Sequence, residues 1–132
     1  MLDQPCYVRV LRVLSEIRDG ISELAGNRES VAVFEAIDID FIRQQVDLGV
    51  YGLESCVRLA TAVVGIIRRI QAPARDAEVR VLWQAVCDNM TAAAAVEDRG
   101  TKARVVCKLL EFMLDRVNAL RIDAANARLV ML

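Results

Sequence analysis

The chain has 132 residues, a length typical of one domain with a single hydrophobic core. It carries 17 basic and 18 acidic residues. Because their signs alternate along the chain, there is no basic stripe of the kind that binds nucleic acids or anionic membranes. Apolar residues make up 55% of the sequence and aromatic ones 5%. We therefore expect packed helices and no nucleic-acid partner, with more apolar surface than a body of this size can hide.

The sequence contains no histidine, which excludes histidine-dependent catalysis and histidine-bearing metal centres. Neither GxxxxGKS/T nor GxGxxG occurs, so both phosphate-binding loops are absent. The cysteines are far apart and form no CxxC, so we expect no zinc site and predict reduced, structural thiols at Cys6, Cys56, Cys87 and Cys107. We thus expect no catalytic residue, no cofactor and no metal, and predict that the chain is not an enzyme.

The longest apolar run covers residues 59–67, far fewer than the roughly 20 residues that span a bilayer. The first residues, MLDQPCYVRV, include an acidic side chain and lack the apolar core of a signal peptide. We expect no membrane span and a cytoplasmic protein.

Apolar residues recur every three or four positions from about residue 6 to 25, which predicts a first helix with one buried face. Gly20 lies in its middle and costs about 1 kcal/mol relative to alanine. We interpret Gly20 as a tolerated weak spot, with a bend or a close contact as the alternative. After a short helix within residues 30–37, Asp38 is a good N-cap for another over about 39–47. A second acid, Asp40, lies close by. We interpret the two acids as capping and dipole complement, with acid–base chemistry or a divalent-cation site as the alternative.

The helix predicted over about 53–70 is expected to be the most buried, because it carries a broad apolar stripe. Its far side has the small residues Thr61, Ala62 and Gly65 rather than charged ones. This pattern predicts that a second helix approaches the small face closely.

The stretch QAPARDAEV, residues 71–79, separates this helix from the next. Pro73 disfavours helical geometry at the residue before it and so ends the preceding helix, and a new helix is predicted over about 76–97. Because the link is short, we expect the two helices to be antiparallel neighbours. Arg75 and Asp76 are interpreted as part of a helical corner, with a recognition or catalytic pair as the alternative.

Trp83 is interpreted as the core anchor of the helix that follows, with a platform for stacking a ligand as the alternative. Gly100 is predicted to end this helix as a left-handed cap, and Thr101 to begin the last helix. These elements predict an all-α fold, a helical bundle of about five to six helices with antiparallel neighbours and short connections. We expect residues 1–132 to form a single helical domain that is part of a larger helical protein.

The last helix acquires a second apolar stripe near its end, and the chain finishes in RLVML. Three explanations stay open. This end docks onto the domain, it meets another chain such as a second copy, or it continues into a longer polypeptide, which fits the sequence best. The candidate contact surface comprises Ile122, Leu129 and Leu132.

Three segments, in this order, resemble the T-complex protein eleven family. They are IDIDFIRQQVDLGVYGLE at 37–54, IQAPARDAEVRVL at 70–82 and LLEFMLDRVNALRIDAANARL at 109–129. The resemblance spans roughly residues 30–130, and its most specific piece is the A-P-A-R-D corner. One departure is the glutamine before A-P, where relatives often have a cysteine. The resemblance implies a non-enzymatic helical protein that acts through protein contacts in cyclic-AMP and protein-kinase-A signalling, and in animals in sperm flagellar function.

Family pattern and polar chemistry coincide at Arg43, Gln44, Gln45, Arg75 and Asp76. We interpret these residues first as structural, because a polar corner can fix how helices pack, and second as an interaction site.

The leading hypothesis for function is a protein-interaction or scaffold domain, with a flagellar location implied by the resemblance. The competing hypothesis is a helical module that holds a small apolar molecule between its central helices, in a pocket beside Thr61, Gly65 and Trp83.

Overall fold

The structure is a computed structural model that describes residues 4–49, 51–96 and 98–131. Within these ranges the chain forms six α-helices and one 3-10 turn, and no strand. The helices are α1 (Gln4–Leu24), α2 (Asn27–Ala36), α3 (Ile39–Asp47), α4 (Leu53–Ile70), α5 (Asp76–Ala94) and α6 (Arg99–Met131), and the 3-10 turn (Pro73–Arg75) precedes α5. The predicted all-α bundle of about five to six helices is confirmed.

Local sequence signals set the helix ends in the middle of the chain. Asp38 caps α3, since its Oδ1 accepts a hydrogen bond from the Phe41 N–H at 3.1 Å. Ala72 is extended, with φ −63° and ψ 138°, as expected of a residue before Pro73, and α4 accordingly ends at Ile70. Both α3 and α4 therefore have their predicted bounds.

The core of the bundle forms around α6, which packs against α1, α4 and α5, while α1 also packs against α2 and α3. Helices α5 and α6 are antiparallel, because Arg75 contacts Asp123 whereas Trp83, further along α5, contacts Phe112. The largest fully buried side chains are Leu14, Ile17, Ile21, Val33, Ile37, Val63, Ile67, Val79, Val106, Leu109, Met113 and Val117. They come from every helix except α3 and, in Ile37, from the residue that follows α2, so one continuous core joins the chain's two halves.

Gly20 is a point of close contact between α1 and α6. A Cβ added there would lie 2.6 Å from Val117 Cγ1 and 2.8 Å from Arg121 Nη2. The interpretation of Gly20 as a tolerated weak spot is therefore wrong, and the alternative of a close contact is correct. The glycine lets the two helices approach at a point where any side chain would collide with the core face of α6.

The connection between α5 and α6 differs from the prediction. α5 ends at Ala94 rather than near residue 97, and Gly100 is not a left-handed cap but lies in the first turn of α6. The cause is Asp98, whose Oδ1 accepts from the Gly100 N–H at 3.1 Å and whose Oδ2 accepts from the Thr101 hydroxyl at 2.7 Å. The bond from Gly100 satisfies one free backbone donor of a helix start, and the bond from the Thr101 hydroxyl holds the carboxylate in place, so α6 begins before Thr101.

The small face of α4 is not covered by another helix of the described chain. Thr61 and Ala62 are exposed and Gly65 is half-buried, and a Cβ added to Gly65 would meet Arg69 Nη1 at 3.9 Å and nothing closer. The prediction that a second helix approaches this face is wrong within the described ranges. α2 and α5 both pack against α4, but neither lies over these small residues.

The last turns of α6, a helix of 33 residues, extend past the bundle. Core-facing side chains are buried up to Leu120, whereas residues 121–130 are exposed apart from the half-buried Asp123 and Ala124. The explanation that this end docks onto the domain is therefore wrong for residues 121–130. No helix in the described part of the chain is long and apolar enough to cross a bilayer.

Candidate functional site

The corner before α5 is joined to α6 by a two-point ion pair. Arg75 Nη2 donates to Asp123 Oδ1 at 2.9 Å, and Arg75 Nε donates to Asp123 Oδ2 at 3.2 Å. The planar fork of a guanidinium matches a carboxylate in this geometry, which makes such pairs stronger and more directional than single contacts. The ion pair thereby joins two residues, Arg75 and Asp123, that are 48 positions apart along the chain.

Glu78 extends this pair into what we call the corner cluster, formed by Arg75, Glu78, Arg116 and Asp123. Glu78 Oε2 accepts from Arg75 Nη1 at 3.1 Å, and Glu78 Oε1 accepts from Arg116 Nη2 at 3.2 Å. Arg116 is only 8% exposed, and its Nε has no hydrogen-bond partner among the described residues. The buried guanidinium therefore depends on Glu78 for its compensation.

Hydrogen bonds from Arg75 lower the pKa of both carboxyls in the corner cluster. They are the largest cause for Asp123 and for Glu78, and the positive charge of Arg116 lowers the pKa of Glu78 further. In the same way the hydrogen bond to Asp123, followed by that to Glu78, raises the pKa of Arg75. These ion pairs join the corner before α5 to α6.

Asp76 does not pair with Arg75. Its Oδ1 accepts a 2.7 Å hydrogen bond from Gln71 Nε2, across the corner. It also lies in the first turn of α5, where a carboxylate complements the helix dipole. The two corner candidates thus bind different partners and form no recognition or catalytic pair with each other.

The other polar candidates lie on α3 and are divided between two surfaces. Arg43, whose side chain is 58% exposed, has its Nη1 3.8 Å from Asp40 Oδ1 and lines a groove toward α1. Gln45 is half-buried and lines a hollow between α3 and α4, while Gln44 is exposed. No hydrogen bond or ion pair in the described chain joins these three residues to the corner cluster.

The candidate contact surface on α6 is exposed where the structure describes it. Ile122 is 58% exposed and Leu129 67%, and the neighbouring Val130 reaches 86%. Leu132 lies outside the described residues. The corner cluster holds α6 in position through Asp123, which directly follows Ile122, the first residue of this surface.

Trp83 is half-buried and packs against the edge of the core. Its ring centroid lies 5.7 Å from that of Phe112 on α6, with an angle of 30° between the planes, which agrees with the interpretation of Trp83 as a core anchor. A hollow of about 560 Å³ does lie between α4 and α5, but at the other end of these helices. Its lining is Leu53, Glu54, Val57, Arg58, Cys87, Met90, Thr91 and Ala94, without any of the three residues predicted for a pocket.

The thiols that the structure describes, Cys56, Cys87 and Cys107, are unpaired. Cys56 is buried, and burial raises its pKa to about 11, which makes it an unreactive thiol. Among the described residues no three cysteine, aspartate or glutamate side chains gather in a group that could hold a metal ion.

All of residues 1–132 match the family described as T-complex protein 11. The chain belongs to this family. No solved structure matches it. Two of the segments that carry the resemblance to T-complex protein 11 are the A-P-A-R-D corner and the stretch ending in D-A-A-N, and they supply Arg75 and Asp123. In this T-complex protein 11 member the two segments are therefore in contact through the corner cluster.

Sequence reasoning missed three members of the corner cluster, Glu78, Arg116 and Asp123. Two signals were available. Asp123 lies inside the third segment of the T-complex protein 11 resemblance, and Arg116 stands in the apolar stripe of α6, where a charge requires a partner. Glu78 also lies in one of the segments of the resemblance, at 70–82, but it had a sufficient explanation as an acid near a helix start.

Proposed function

We propose that this chain is a non-enzymatic helical domain that acts by binding other proteins. The observation that carries the proposal is the exposed apolar surface at the end of α6, formed by Ile122, Leu129 and Val130. Apolar side chains that lie together on a helix and have nothing packed over them are typical of protein-interaction surfaces.

The corner cluster supports this proposal because it controls how α6 leaves the bundle. Arg75 holds Asp123 from two nitrogen atoms, at the point where the exposed part of α6 begins. A surface whose base is fixed loses less conformational entropy when a partner binds. Arg75 and its neighbours thus serve as positioning residues for the contact surface.

The resemblance supplies the partner and the location that we propose. The resemblance to the T-complex protein eleven family implies a context of cyclic-AMP and protein-kinase-A signalling, so the partner that we propose is a subunit of that kinase. The proposed locations are the cytoplasm and, in animals, the sperm flagellum.

The test is a titration of the purified chain against the regulatory and the catalytic subunit of protein kinase A, each with and without cyclic AMP. We expect binding to one subunit, weakened at least about tenfold in the double variant Ile122→Lys/Leu129→Lys. Val31→Lys is the matched control, because Val31 is 59% exposed on α2. Circular dichroism verifies that all variants keep the helical fold. Unchanged binding of the double variant contradicts the role of α6, and no binding of either subunit at about 100 μM contradicts the proposed partner.

The hollow between α4 and α5 favours a second candidate function, the binding of a small apolar molecule. Its volume of about 560 Å³ lies in the range of small-molecule sites, and Leu53, Val57, Met90 and Ala94 give it an apolar lining. This candidate predicts that one compound fills the hollow without any contact to the other side of α4.

A further inference from the structure

The outer face of α4 forms the floor of a trough that is open along its length. Arg58, Thr61 and Ala62 are exposed on this face and Gly65 is half-buried. We call this face and the two hollows beside it the α4 trough. Its floor has small side chains, which allow the backbone of another helix to approach α4 closely.

The two hollows of the α4 trough lie on opposite sides of Arg58. The hollow of about 560 Å³ toward α5 is lined by Val57 and Met90, and that of about 410 Å³ toward α3 by Phe41 and Ala62, while Arg58 lines both. Successive residues of a helix point 100° apart, so Val57 and Ala62 lie on the two flanks of the outer face and Arg58 lies between them. An occupant that touches both hollows must therefore cross over Arg58.

Arg58 supplies the charge that such an occupant has to match. Its guanidinium is exposed and makes no hydrogen bond or ion pair with any described residue. Glu54, one turn earlier on α4, lines the larger hollow beside it but forms no ion pair with it. The apolar walls include Phe41, which is 54% exposed. The larger hollow is mainly apolar, whereas the smaller one is mixed, with Gln45 and Ser55 beside Phe41. A free guanidinium between them fits an acidic side chain flanked by apolar ones.

We propose that the α4 trough binds an amphipathic helix of a protein partner, with an aspartate or glutamate on Arg58 and an apolar side chain in each hollow. This inference rests on the proposed protein-binding function and assigns it a second surface, separate from the end of α6. A helix is favoured over a small molecule because the floor from Leu53 to Ala62 is about 14 Å long, between two and three turns. A small molecule fills one hollow, whereas a helix of this length fills both.

Cys87 gives a direct measure of occupancy, because it lines the larger hollow as a half-buried free thiol. The full chain is used to select binders from a phage library of 14-residue helical peptides, and the selected peptides are then synthesised. At a peptide concentration of ten times Kd, the rate of maleimide modification at Cys87 is expected to fall about tenfold. The rate at the exposed Cys107 is expected to stay unchanged and serves as the internal reference, read by mass spectrometry of the digested chain.

Charge reversal tests the role assigned to Arg58. Arg58→Glu is expected to weaken the selected peptides at least about tenfold, and replacing the peptide's acid by lysine is expected to restore binding to this variant. Arg12→Glu is the matched control, since Arg12 is exposed beside a groove on α1. Ala62→Arg blocks the floor and is expected to abolish binding, while Ala85→Arg, at an exposed position of α5, is expected to have no effect.

Three results overturn the proposal. The first is that no helical peptide is enriched more than peptides from a scrambled library. The second is that the selected peptides do not slow the modification of Cys87, or bind the Arg58→Glu variant as tightly as the wild type. The third is that the apolar dye 1-anilinonaphthalene-8-sulfonate protects Cys87 while no peptide does, which assigns the larger hollow to a small molecule.

The variant Ile122→Lys/Leu129→Lys separates this proposal from the proposed function, because it leaves the α4 trough intact. Peptides that bind this variant as they bind the wild type support the α4 trough. If the wild-type chain binds these peptides but neither kinase subunit, the α4 trough stands and the named partner is contradicted. Kinase binding that depends on α6, without any peptide in the trough, leaves the proposed function standing and contradicts this inference.

Discussion

Gly20 and Gly65 both lie inside helices, but their surroundings predict opposite effects of the same substitution. Gly20→Ala places a Cβ 2.6 Å from Val117 Cγ1 in the core, so we expect it to destabilise the fold by about 1–3 kcal/mol. Gly65→Ala meets only Arg69 Nη1 at 3.9 Å, so we expect it to stabilise the fold by about 0.5–1 kcal/mol. Urea unfolding of the two variants measures both values. A stabilised Gly20→Ala variant would contradict the close contact between α1 and α6.

The corner cluster predicts how one arginine contributes to stability as pH changes. Arg75→Ala is expected to lower the melting temperature at pH 7, because it removes the partner of Asp123 and one partner of Glu78. Both carboxyls have a pKa below the ordinary values of 3.8 and 4.5. Their stabilising contribution is therefore present above these ordinary values and is lost as pH falls through the lowered pKa values of the folded state.

The difference in melting temperature between the wild type and Arg75→Ala is thus expected to be constant from neutral pH down to about pH 5 and to shrink below pH 3.8. The control is Arg80→Ala, because Arg80 is exposed on α5 and has no ion pair among the described residues. A difference that persists unchanged below the pKa of both carboxyls would show that Arg75 acts through packing rather than through its charge.

At the scale of the element, α6 consists of a packed part and a protruding part. Met113 and Val117 are almost completely buried, whereas Leu129 and Val130 are exposed, so the tertiary contacts that stabilise a helix are absent near its end. Hydrogen exchange is therefore expected to be slow for the amides of 106–117 and faster for those of 125–130. In Arg75→Ala the region of fast amide exchange is expected to extend back toward residue 120, because the ion pair between Arg75 and Asp123 is lost. Equal exchange along α6 would contradict this division.

At the scale of the whole molecule, the composition and the fold together predict self-association. The chain is 55% apolar, and the structure leaves large apolar side chains exposed on α1, α2, α3, α5 and α6. We expect the mass from light scattering to rise above 14.6 kDa as concentration increases, because burying Leu129 and Val130 against a second copy removes apolar surface from water. Leu129→Lys is expected to shift the equilibrium toward the monomer, with Val31→Lys as the control. A constant monomer mass at all concentrations contradicts this use of the α6 surface.

Short-range signals in the sequence predicted the helices and most of their ends. Asp38 at the start of α3 and Pro73 after α4 act on residues within one turn of themselves, so their effects do not depend on the rest of the fold. The apolar stripe of α4 follows for the same reason from its spacing. The resemblance to T-complex protein 11 was likewise visible in short segments.

Contacts between residues that are far apart along the chain became known only from the fold. Arg75 and Asp123 are 48 positions apart, and neither residue's own neighbours indicate the other. The roles of Gly20 and of the small face of α4 depend in the same way on whether a second helix packs against each of them. For Gly20 it does and for α4 it does not, because the packing of a helix is decided by the whole set of competing apolar faces rather than by its own pattern.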